Sequence, residues 1–320
     1  MIRPFGLRDA WKIKYLQPRG VAFDLRRLLL RAALPTSSAI LGVLTRQSMG
    51  AITFVNYGSK SSDVRGFIQL APRKSGLAWD LSYLAPSLDD RQGQPSTWCD
   101  LLRYAIQVGA ERHVLRIYAR PPEDSEVEHL LRRSGFALVG REEIFALTEP
   151  PPPSAPPRGF RLADRQDSWE LRELHRKTIP PLVYQACGAW QVDEWPSALL
   201  GLRHEQTRYV WSEKGEIVAH LGLASGPKGY WIECVVRPEY RGELLPHIQH
   251  LISLTECSPS RPVYFAVPDY SVGLGWLLRT LGFRSYSQQL VMVAHTVQRV
   301  PIYRSVTASA MEGCPELTPQ

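Results

Sequence analysis

The chain has 320 residues, 44% of them apolar and 22% charged. That is the balance of a soluble globular protein long enough for two domains that each bury a core; no run nears the roughly 18 apolar residues of a bilayer span and Met1–Phe5 lacks a secretory core, so a cytoplasmic protein with no membrane partner is expected. The net charge of +7 would suit an anionic partner, but pairs such as Arg26-Arg27 and Arg132-Arg133 never grow into a basic block, and five scattered cysteines form no Cys-x-x-Cys pair; a solvated basic surface is therefore expected rather than a nucleic-acid partner, with no disulfide framework or zinc knuckle.

In chain order, Phe23–Arg31 sets leucines between arginines at helical spacing, which predicts a helix packed on a sheet. From Ala51 the texture is that of strands, 51–57, 64–70 and 77–84, separated by Gly and Ser turns as in an antiparallel meander. A helix follows from Pro95, with Trp98, Leu101, Leu102, Ala105 and Ile106 on one face. Then come strand 114–118, helix 124–134, the pair Gly135-Phe136 and strand 143–147. Beyond residue 158 the pattern is strand 160–162, a helix from Ser168 with Asp167 as its cap, strands 208–211, 217–223 and 230–236, helix 246–255, strand 263–267, helix 271–281, Gly282-Phe283 and strand 290–294. The tail from about Val300 has no periodicity.

Between these two series lies Glu149–Arg158, with six prolines in eight residues, which can extend neither a helix nor a central strand and reads as a semi-rigid linker. The series on its two sides can be put in register. Leu84-Ala85-Pro86 falls opposite Val236-Arg237-Pro238 at an offset of 152, Gln94-Pro95 opposite Leu245-Pro246 at 151, and Leu130–Phe136 opposite Leu277–Phe283 at 147. Each half thus reads as strand, helices, three antiparallel strands, helix, strand, helix, strand. The expectation is an α/β (α+β) chain of two mixed-sheet sandwiches, 1–148 and 159–298, joined by 149–158 and followed by a loosely ordered tail, 299–320.

The segments Cys234-Val235-Val236-Arg237-Pro238-Glu239-Tyr240-Arg241-Gly242 and Trp276–Phe283, in that order, resemble the GNAT superfamily of acyl-coenzyme A dependent N-acyltransferases. The resemblance covers most of 159–298 and extends more weakly over 1–148. It implies two tandem GNAT-like domains, the second the more active, moving an acetyl group from acetyl-CoA to a primary amine of a small molecule or peptide, with no metal. It also implies that Cys234, Val235 and Val236 pair with the pantetheine arm and that Arg241, Gly242, Glu243, Leu244 and Leu245 form the pyrophosphate loop, where backbone N–H groups meet phosphate at a helix N-terminus. Glu233 is the candidate base. Tyr270 is the candidate acid, because the position where the family often has a tyrosine is Leu278, and Leu131 in the first half.

The sequence also departs from the family: the two patterned loop glycines are Leu244 and Pro246 in the second half, Gln94 and Ser96 in the first. The alternative is therefore a catalytically silent binding or structural protein that kept the fold. His247 and His250, with Glu243 one turn earlier, read as a polar helix surface rather than a metal site. Trp190, Trp195, Tyr209, Trp211, Tyr230 and Trp231 are either the lining of an acceptor pocket or core.

Overall fold

In the computed structural model, which describes residues 1–31, 34–45, 50–58, 63–73, 75–187 and 206–296, the first half runs β1 (Ile2–Pro4), α1 (Ala10–Leu16), β2 (Val21–Ala22), α2 (Leu25–Leu30), α3 (Pro35–Leu44), β3 (Ile52–Tyr57), β4 (Val64–Pro72), β5 (Ala78–Ala85), α4 (Pro95–Glu111), β6 (Arg116–Ala119), α5 (Ser125–Arg133) and β7 (Phe136–Leu147). The second half repeats the order with β8 (Phe160–Leu162), α6 (Ser168–Thr178), α7 (Pro181–Cys187), β9 (Gln206–Glu213), β10 (Glu216–Gly226), β11 (Gly229–Val236), α8 (Leu245–Ser253), β12 (Val263–Pro268), α9 (Leu274–Thr280) and β13 (Arg284–His295). A 3-10 turn, Pro238–Glu243, precedes α8. The expected element order is present in both halves. Trp190, Trp195 and the tail beyond residue 296 lie outside the described residues. No helix among the described residues is long and apolar enough to cross a membrane.

Local chemistry explains the repeated blocks. α4 starts on Pro95 and fully buries Trp98, Leu101 and Leu102, each worth about 1.5–3 kcal/mol against the sheet. α5 starts on Asp124, whose Oδ1 accepts from the N–H groups of Glu126 and Val127, and ends on Arg132-Arg133 at its negative pole. Both Gly135 and Gly282 have positive φ, 100° and 89°. That left-handed residue closes the helix and turns the chain so that Phe136 or Phe283 enters the core as the next strand begins. Asp167 departs from expectation: it does not cap α6, because its carboxylate is held by both terminal nitrogens of Arg161 at 2.7 Å and by the N–H of Asp164.

Repetition does not reveal how the halves are joined. The thirteen strands among the described residues form one sheet, twelve of them in the order β1-β3-β4-β5-β6-β13-β7-β12-β11-β10-β9-β8 and β2 paired to β5 off this path. The last strand of each half has crossed into the other: β13 lies antiparallel to β6 and β7, while β7 lies antiparallel to β12 and β13. These two final strands are longer than the apolar runs 143–147 and 290–294 predict, since they pair with each other along most of their length, from Arg284↔Ala146 to Ala294↔Phe136. Two large apolar clusters result, one on α4 and α5, the other on α8 and α9. The proline-rich segment lies along α8, where Gln249 Nε2 donates to the carbonyl of Pro152 and His250 Nδ1 is 2.9 Å from that of Ser154.

Candidate active site between the two halves

Each half contains a parallel pair of strands that begins paired and then parts. β5 and β6 pair from Ala78↔Arg116 to Asp80↔Tyr118, after which β5 continues to Ala85. β11 and β12 pair from Tyr230↔Val263 to Glu233↔Ala266, after which β11 continues to Val236. Past the point of parting, one edge of the longer strand carries backbone groups that need partners. The halves meet this need differently.

In the first half the chain fills its own gap. β2 pairs with β5 at Val21↔Leu84 and Ala22↔Tyr83, the carbonyl of Arg19 accepts from Ser87 N at 2.6 Å, and Phe23 N donates to the carbonyl of Ser82. Gly20 permits the approach, since a Cβ there would lie 2.4 Å from the Tyr83 ring and 2.7 Å from the Ala85 Cβ. In the second half Cys234, Val235 and Val236 have ladder partners only on β10 among the described residues. A cavity of about 1020 Å³, mouth included, opens beside them.

That cavity is built from both halves. Trp231, Glu233 and Val235 form its floor on the face of β11 opposite the α8–α9 core, and His175 of α6 and Ile179 just after it one wall. Arg26 of α2, Arg73, Arg120 and Glu142 enter from the first half, and Tyr270 and Gln289 from the second. A second cavity of about 620 Å³ shares Arg73, Arg120, Glu142 and Tyr270 with it. Of the residues expected at the site, Glu233, Cys234, Val235 and Tyr270 come together here. Val236 instead turns into the core.

Electrostatics give these groups distinct states. Burial raises the Glu233 carboxyl above its ordinary range, against the pull of Arg26 (3.5 Å), Arg120 and a 2.8 Å hydrogen bond from Trp231 Nε1. Burial likewise pushes the Tyr270 phenol up, reinforced by Glu142 and other anionic groups, so it stays protonated. Burial thus makes Glu233 a stronger proton acceptor than an ordinary carboxylate and leaves Tyr270 holding its proton. Arg73 is locked, donating from Nε and Nη2 to Asp80 at 2.9 and 2.7 Å. Burial would lift the Asp80 carboxyl, but Arg73 and Arg120 outweigh it and hold it below its usual range.

Two buried histidines complete the wall, His175 Nε2 lying 3.3 Å from His220 Nδ1. Burial lowers them to about 4 and about 3, with His175 and Arg208 adding to the effect on His220. Both are neutral when folded and protonate near 6.5 when unfolded. The unfolded chain therefore binds more protons below pH 6.5, so stability present above that pH is lost as pH falls toward 4. Between pH 7 and 5.5 the pair should cost about 2.5 kcal/mol. Urea melts of wild type and of His175→Leu/His220→Leu should show this acid loss in the first and not in the second. The sequence signal was available, a histidine within the apolar run Ile217–Leu223, whereas Arg26, Arg73, Arg120, Glu142 and Gln289 belong to no motif.

The loop expected to grip a pyrophosphate is wound up. Leu244 is fully buried and its N–H points to the carbonyl of Arg241; the N–H groups of His247 and Ile248 both go to the carbonyl of Leu244, and Pro246 has none. Arg241 donates from Nη1 to the carbonyl of Val272 at 3.0 Å and from Nη2 toward that of Tyr270, tying the turn to the end of β12. Gly242 and Glu243 are exposed, Leu245 packs at the edge of the core, and no close contact requires glycine at 242. His247 stacks on Trp211 with centroids 4.0 Å apart and is bonded to the main-chain carbonyl of Glu243. Of the aromatic group, Trp211, Tyr230 and Tyr209 belong to the core and Trp231 to the cavity.

No family model and no curated protein matches the chain. Among solved structures it is similar to a GCN5-related N-acetyltransferase from Sphaerobacter thermophilus, with a TM-score of 0.57 and 16% identity over 94% of this chain and 96% of that one. It is also similar to a tandem GNAT protein from the clavulanic acid biosynthesis pathway, with a TM-score of 0.52 and 16% identity over 93% of this chain and 99% of that one. At such identities the likeness is one of fold. The chain has the GNAT fold, twice over in a single polypeptide.

Proposed function

We propose that the chain is an N-acyltransferase with one reaction centre, in the second half, using acetyl-CoA as donor and a primary amine as acceptor. The observation that carries this reading is the asymmetry of the two gaps: β2 occupies the one beside β5, while the one beside β11 opens into a cavity lined by Glu233 and Tyr270. The donor's arm fits the free edge of Cys234–Val236. Its phosphates fit less well, since the N–H groups of Leu244, His247 and Ile248 are taken within the turn and the Arg241 guanidinium is tied to the carbonyls of Val272 and Tyr270.

When bound, the donor supplies an activated acyl carbon. Glu233 would accept a proton from the acceptor ammonium, freeing the nitrogen lone pair for the new C–N bond. As the C–S bond breaks, the Tyr270 phenol holds the proton that the leaving sulfur requires.

Calorimetric titration of acetyl-CoA into the full chain should give one site, and Val235→Trp, which raises an indole from the floor into the cavity beside the free edge, should abolish that binding while circular dichroism shows the fold retained. The wound-up phosphate loop favours the rival reading of a silent binding protein. Absence of binding at millimolar donor would establish that rival. Two sites per chain would contradict the single-centre reading.

A further inference from the structure

The cavity specifies more about its ligand than an amine. Its lining carries three guanidinium groups, of Arg26, Arg73 and Arg120, and three carboxylates, of Asp24, Glu142 and Glu233. Asp80, just behind the lining, also faces Arg73 and Arg120, so the site presents groups of both signs, the arrangement that a zwitterion requires.

The guanidinium groups are not equivalent. Arg73 is saturated by its two short bonds to Asp80. Arg120 lies where the two cavities meet, and its carboxylate neighbours Glu142 and Asp80 stand 3.7 and 3.8 Å away, beyond hydrogen-bond reach. Its planar fork therefore retains donors for a carboxylate. Gln289 supplies the second sign. It is 2% exposed, lines the cavity, and gives its Nε2 to Glu142 at 2.7 Å; an ionised carboxylate only accepts, so this contact fixes the amide orientation. Its Oε1 is buried without a partner, and a buried acceptor of this kind awaits an N–H or O–H donor.

We propose that the acceptor belongs to the amino-acid class, a small zwitterion whose carboxylate docks on Arg120 while its ammonium faces Glu233 and Gln289 Oε1. This rests on the acyltransferase reading only for the chemistry that follows binding. The two halves then make a single subsite, Arg120 from the first holding the anion and Glu233 and Gln289 from the second holding the cation.

The test uses the full wild-type chain and matched probes, the free common amino acids against their amides and the corresponding decarboxylated amines. Binding is read by thermal shift without donor, and transfer by mass spectrometry with acetyl-CoA. At least one amino acid should stabilise the chain and accept acetyl, with its amide and amine at least tenfold weaker. Arg120→Lys, which keeps the charge and loses the fork, should shrink that preference tenfold while the melting temperature holds. Equal behaviour of amino acid and amide, or no amino-acid binding at millimolar concentration, overturns the proposal. Transfer to amines without carboxylate selectivity would overturn it while upholding the acyltransferase. Carboxylate-dependent binding without transfer would uphold the subsite and remove the acyltransferase.

Discussion

A chain ended at Phe283 should lose its cooperative fold, in the first half as well as the second. The missing strand β13 pairs with β7 at ten positions and with β6 at four, and buries Leu290, Met292 and Val293 almost completely. At about 1.5–3 kcal/mol for each large side chain the loss is roughly 5–9 kcal/mol before any backbone group is counted. That approaches the whole stability of a typical domain, about 5–15 kcal/mol. Removal also strips β6 of its outer neighbour, leaving an open edge beside the α4–α5 core. Circular dichroism and urea titration should show no sharp transition for the truncated chain. A cooperative melt of residues 1–283, with first-half amides still protected from exchange, would contradict the strand exchange.

Glu233→Gln should slow acetyl transfer by about 10²–10⁴-fold, the usual worth of a positioned base. The exchange is nearly isosteric, and the amide oxygen can still accept from Trp231 Nε1, so the floor of the cavity should persist. Donor affinity should be unchanged. Because the carboxyl is raised by burial, wild-type activity should fall on the acid side with a midpoint above the ordinary carboxylate range, protonation removing the active base as pH drops. The variant should lose that limb. A turnover within threefold of wild type, or an unchanged acid limb, would remove Glu233 from the proton path.

The sequence showed the fold wherever a residue type answers a local demand. Proline after β5 and β11, proline opening α4 and α8, and Gly-Phe after α5 and α9 occupy the same places in both halves because each solves a backbone problem within a few residues. Strand exchange is a different kind of fact. β7 and β13 follow the same Gly-Phe turn, and nothing local in Phe136–Leu147 distinguishes β6 from β12 as its neighbour. The cavity was half legible for the same reason. Glu233, Cys234 and Val235 sit in a recognisable strand, but Arg26, Arg120 and Gln289 come from three remote elements and meet only through the exchanged sheet. Tyr270 was found because it lies just past a recognisable strand and before a recognisable helix, and β2 was missed because two residues have no periodicity.

Segment 19–23 is a competitor tied to its own target. Anchored between α1 and α2, it faces the edge of β5 at an effective concentration on the order of millimolar or more. A free ligand present at micromolar levels meets that edge already taken, however well it might fit. The turn after β5, with Gln94 and Ser96 at the places of Leu244 and Pro246, opens α4 on Pro95.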